Sequence, residues 1–179
     1  QGPLPADQVG RIERFAGDGG DLLLLAGAVI LRGRSELAPH GLEALTLRYG
    51  IREGERVVVD PTPMAGATPF LAFTLQDGWG DHPAVSRLVG QAISLLQVRE
   101  LTLAAPATFL IQTSERGWAE ADVAAFTRGE APRFDPAVDR EGPIAVAAAS
   151  AIGGSRMIVV GSVDFSLNAM LREEGVYDR

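Results

Sequence analysis

The chain has 179 residues, 46% of them hydrophobic, and its 16 basic side chains against 23 acidic ones leave a net charge of −7. That is enough apolar material for one domain with one principal core, which excludes wholesale disorder, and the acidic balance argues against a surface made for nucleic-acid phosphates. Neither cysteine nor lysine occurs, so disulfides, thiolate zinc sites, cysteine nucleophiles, Walker-type phosphate loops, Schiff-base lysines and Ser-Lys dyads are excluded.

Residues 5–16 place Val9, Ile12, Phe15 and Ala16 at helical spacing, which predicts an amphipathic helix. Gly17, Gly19 and Gly20 end it. They precede a strand, the reverse of the strand–turn–helix order that a phosphate loop requires. The continuous apolar run over 21–26 reads as a strand buried on both faces of a parallel sheet. A loop over 32–39 leads to a short helix over 41–49, with Leu42, Leu45 and Tyr49 on one side and Gly50 closing it. Residues 56–61 form a second strand stopped by Pro61, and the proline- and glycine-rich stretch 61–80 is a long irregular excursion.

Pro83 opens one or two helical turns over 82–89. Residues 94–104 lean towards β, 107–112 is a strand, and 118–127 is a helix with Ala119, Val123 and Phe126 inward. After a loop over 129–142, strands at 144–149 and 157–160 are joined by Gly153-Gly154 as a hairpin, and a helix over 165–173 closes the chain. The alternation predicts a single α/β domain over 1–179, a layered sandwich with a mostly parallel sheet and an antiparallel edge hairpin. The most apolar run, 22–31, is half of the roughly 20 residues that a bilayer-spanning helix needs. The Gln-Gly-Pro start, with no initiator Met, reads as an excised fragment.

Four stretches share an order with a known family: "LPADQVGRIERFAGDGGDLLLL"; "HGLEALTLRYGI" followed by "VVVDP"; "HPAVSRL"; and "LIQTSERGWAEAD" through "RFDPAVDREGPIAVAAA" to "IVVGSVDFSLNAML". On these the chain resembles the extracytoplasmic domain of the auxiliary component of gliding-motility-type ABC transporters. The resemblance spans nearly the whole chain. It implies a flavodoxin-like or glutamine-amidotransferase-like fold, similar to the amino-terminal domain of some intraflagellar transport proteins. It further implies a non-enzymatic domain outside the bacterial cytoplasmic membrane; separately, no cofactor is expected, and two isolated histidines without thiols predict no metal site. Its partners would be transporter membrane subunits or an extracytoplasmic ligand, and membrane contact would come only through segments of a larger anchored parent. Two departures stand out. Ser162-Val163-Asp164-Phe165 replaces the family's Asp-Ser-Asp-Phe, and the chain starts after the family's first strand and stops before its last membrane helix.

The residues offer several candidate sites. Ser114 or Ser162, His40 or His82, and Asp60 or Asp164 could compose a nucleophilic triad of a hydrolase acting on a small ester, amide or glycan, but no G-x-S-x-G elbow surrounds either serine. Turn and helix-cap roles are the simpler alternative. An amidotransferase activity would need the missing cysteine. Asp60 and Asp81-His82 lack zinc-site spacing. Asp164, with Asn168 one helical turn beyond, either contacts a ligand or partner at the carboxyl end of the sheet or caps the last helix. Trp118 reads as core, whereas Trp79 in the Gly78-Trp79-Gly80 tip is either an exposed partner anchor or a ring folded back over the sheet edge. The expected recognition surface is therefore Trp79, His82, Ser114, Asp164 and Asn168, with a small-ligand receptor as a further reading.

Overall fold

A computed structural model describes residues 2–30, 36–61 and 72–163. The amphipathic opening folds as helix α1 (Ala6–Gly17), whose Val9, Ile12 and Ala16 lie on the sheet while Phe15 stays exposed. Strand β1 (Leu22–Leu25) follows, then helix α2 (Glu43–Arg48) and strand β2 (Ile51–Val59). Leu42, Leu45 and Tyr49 are all buried, as their spacing predicts. Next come β3 (Ala72–Leu75), β4 (Ile93–Leu96), β5 (Arg99–Leu103), β6 (Thr108–Gln112) and β7 (Trp118–Glu120). Helix α3 (Val123–Arg128), β8 (Arg140–Glu141), β9 (Ala145–Ile152) and β10 (Ser155–Val160) complete the described elements.

Among the described residues, eight strands form one sheet in the order β1-β10-β9-β5-β2-β7-β8, with β6 also on β9, and β3–β4 stands as a separate pair. Of these described pairs only β1 with β10 is parallel, and the others are antiparallel. This corrects the expected flavodoxin-like or glutamine-amidotransferase-like sandwich with its mostly parallel sheet. The reason is physical. A strand covered on both faces yields a continuous apolar run whichever way it points, so Val57, Val58 and Val59, all fully buried in antiparallel β2, mimic a parallel strand. The connections decide the matter: a two-residue turn joins antiparallel neighbours, whereas a parallel pair needs a long crossover.

The hairpin predicted around Gly153-Gly154 is present as β9–β10, with both glycines at positive φ (58° and 90°) as a tight turn demands. It lies inside the sheet and not at its edge. Conversely the leucine run is not a doubly buried strand: among the described residues β1 ends the sheet, and Leu23 is 68% exposed. Residues 82–89 form turns without a helix, and the segment from Trp118 splits into β7 and α3. Asp122 starts α3 by accepting the Ala125 N–H at 3.2 Å, a true N-cap that breaks the longer predicted helix in two. The helix expected over 165–173, and residues 62–71 of the expected excursion, lie outside the described residues.

Two layers cover the sheet. On one face α1 and α2 pack over Leu22, Leu24, Met157, Val159 and Ala148. On the other, Val85, Leu95, Val98 and the Trp79 ring pack over Leu25, Ala147, Ala149, Ile158 and Val160. A third cluster joins Ala28, Leu37, Val57 and Val123 with Phe126 of α3. No described helix is long and apolar enough to cross a membrane.

Candidate functional site

Strand register builds the site. Leu23 pairs with Ile158, Ile158 with Ala149, and Ala149 with Thr108, so one row of side chains crosses β1, β10, β9 and β6 on the face away from the helices. Residues 79–98 cover this face only in part. Where the cover stops, a groove of about 890 Å³ opens, floored by that row and walled by Pro106 and residues 82–84. At one end Asp21 meets Arg156, accepting from its backbone N–H at 2.9 Å and from its guanidinium. The Arg156 side-chain hydrogen bonds, then its backbone N–H, hold the Asp21 carboxyl below its ordinary range. The groove thus combines an apolar floor with a neutralised charged end.

His82 borders this groove, and its Nδ1 accepts the Ala84 N–H at 3.1 Å, closing the turn locally. The other expected surface residues do not gather here. Trp79 folds back: it bridges Ile111 of β6, its ring packs on the core beside it, and Nε1 donates to Gln91 O at 2.9 Å. Trp79→Ala is therefore expected to destabilise the fold by about 2 kcal/mol, a fall of roughly 5 °C in melting midpoint. An unchanged midpoint in a thermal melt would show the ring to be dispensable for packing. Trp118 is buried as expected, edge-on to Phe134 with ring centroids 6.2 Å apart.

Ser114 sits in a turn, its N–H donating to buried Asp60 at 2.8 Å and its Oγ accepting from Arg116 N at 3.3 Å. Ser162 is fully buried with its hydroxyl on Leu96 O at 2.7 Å. Each hydroxyl is thus bonded to backbone and neither is bonded to an imidazole. Asp164 and Asn168 lie outside the described residues.

His40 is held elsewhere, in a cluster that sequence reasoning missed. Its Nδ1 accepts the Leu42 N–H at 3.1 Å, so the ring proton sits on Nε2, 2.5 Å from Glu53 Oε2. Thr46 Oγ1 donates to the other Glu53 oxygen at 2.9 Å. Arg99 lies 3.4 Å from Glu53 and donates to Ala38 O at 2.8 Å. Glu53 and Arg99 are almost wholly buried, and this self-contained ion pair fixes residues 38–42 to β2 and β5. The one signal in the sequence is a charged pair, Arg99-Glu100, inside an otherwise apolar stretch.

An acidic recess of about 540 Å³ lies under α3, lined in part by Glu120, Asp122, Glu130 and Asp135. Arg128 hydrogen-bonds Asp122 and Glu130, and its guanidinium lowers both carboxyls below their usual range. Glu120 accepts from Trp118 Nε1 and Asp122 N. No three metal-ligating side chains converge among the described residues.

No protein-family model and no curated protein matches the sequence. Among solved structures the chain is similar to the mmIFT52 N-terminal domain, with a TM-score of 0.57 and 18% identity, over 89% of this chain and 61% of that chain. At that identity the likeness is one of fold alone. It is the likeness to intraflagellar transport amino-terminal domains that the sequence resemblance implied, carried by a mixed, largely antiparallel sheet.

Proposed function

We propose that this chain is a non-enzymatic interaction domain of an ABC transporter auxiliary component, and that its groove seats an apolar segment of the transporter's membrane subunits. The observation that carries the reading is the half-covered sheet face. Val85 and Leu95 seal one part, while Leu23 and Ile158 leave the other apolar and open. An apolar floor with polar ends is the anatomy of a recognition patch, and each Å² of apolar surface removed from water there contributes about 25 cal/mol. The ordered motifs of the sequence support the transporter part of the reading. On this reading the domain lies outside the bacterial cytoplasmic membrane, held by segments of a longer parent, and neither cofactor nor nucleic acid takes part.

Thr108 and Ala151 are exposed in the groove, whereas Arg11 is exposed on α1. A photo-crosslinking residue at either groove position is expected to capture a membrane subunit when both proteins are co-expressed, and one at Arg11 is not. Ala151→Arg fills the groove without entering the core. It is expected to cut co-purification at least about tenfold while moving the melting midpoint by less than about 2 °C. Capture from Arg11 as strong as from the groove, or capture of a small molecule with no protein, would refute this assignment.

A further inference from the structure

We infer that β1 is a docking edge for a second copy of this chain, the two strands pairing antiparallel about a two-fold axis at Leu24. The argument begins with amide direction. Ala26 donates its N–H to Val160 O at 2.7 Å, and the parallel register sets Leu22 beside Met157 and Leu24 beside Val159. With the two-residue period of a strand, these even positions turn their amides towards β10. Leu23 and Leu25 therefore turn N–H and C=O to the opposite side, where no described strand lies and no described group takes them up.

Nothing in β1 blunts this edge. The strand is four leucines, without proline, charge or bulge, and Leu23 is 68% exposed. The strand is also its own complement. An axis at Leu24 sets Leu23 opposite Leu25 of the second copy and the reverse, and these are the residues whose amides face outward. Each of the two pairs then exchanges two hydrogen bonds, and the exposed Leu23 side chain gains a cross-strand leucine. Beyond the strand Asp21 falls opposite Gly27, so no like charges meet. Such an isologous contact closes after two copies.

Light scattering of the full chain at roughly 100 µM is expected to give a dimer. Leu23→Pro removes one outward amide and none facing β10, and Leu23→Lys leaves the backbone unchanged; both are expected to give folded monomers. Because the chain has no cysteine, Leu24→Cys supplies a single thiol on the axis. Facing Cα atoms in such a pair lie about 4.5 Å apart, within disulfide range, so mild oxidation should link two copies. Leu22→Cys, off the axis, should not. The inference is overturned by a monomer at that concentration, including one that pairs only with a different protein. It is equally overturned by a dimer that survives a folded Leu23→Lys variant, or by linkage through Leu22→Cys as fast as through Leu24→Cys.

Discussion

Arg99→Leu is expected to lower the stability of the fold by about 3–5 kcal/mol, or roughly 10 °C in melting midpoint. Removing the guanidinium leaves the Glu53 carboxylate without its cation, and that carboxylate is wholly buried. Its remaining donors are Thr46 Oγ1 and the His40 Nε2 proton, both neutral groups. Ala38 O loses its donor as well. A buried ion pair stabilises little compared with apolar residues of the same size, yet losing one member is costly because the other stays charged in a low-dielectric site. The double variant Glu53→Leu/Arg99→Leu should therefore be more stable than the sum of the single losses predicts, by at least about 2 kcal/mol. Chemical denaturation of the four proteins measures this coupling. Strict additivity would show that the two charges do not depend on each other.

Gly50→Ala should be almost as damaging, by about 3 kcal/mol, for a different reason. Gly50 ends α2 at φ +76°, a conformation that disfavours any Cβ, and an added Cβ there would stand 2.3 Å from Ala104 O. That carbonyl cannot retreat freely, because Ala104 N–H donates to Gly50 O at 2.8 Å and ties the two segments together. Gly153 separates the two effects. It shares the positive φ, at +58°, but an added Cβ would meet nothing within 4 Å. Gly153→Ala should thus cost only about 1–2 kcal/mol, the backbone penalty alone. Equal losses at the two positions in a denaturant titration would show that the Ala104 contact is harmless.

Local signals of the fold were legible in the sequence where a single element decides them. The 3.6-residue period of Val9, Ile12 and Ala16 gives α1, Gly50 marks the end of α2, and Gly153-Gly154 gives the hairpin. Strand direction was not legible, because Val57–Val59 look alike in parallel and antiparallel sheets once both faces are covered. Trp118 shows a second limit: Ala119, Val123 and Phe126 fit a helical period, but Asp122 satisfies a free amide and starts the helix only after a short strand. The groove was legible only at His82. Its floor joins Leu23 to Ile158, Ala149 and Thr108, residues far apart in the chain that only the strand register brings together. The Glu53–Arg99 pair was hidden for the same reason.

The pairing of β1 with β10 also governs when this protein can fold. On the ribosome the four leucines emerge long before the strand that receives them, because every other described strand lies between the two in the chain. Contacts between such distant segments form slowly, since a long loop must close before they return any free energy. The nascent chain therefore holds an unpartnered leucine strand until β10 has emerged, a state in which unpaired apolar edges are prone to aggregate. Completion of the sheet therefore waits for β10, and β9–β10, a hairpin made of neighbours, is the local template onto which the early strand finally docks.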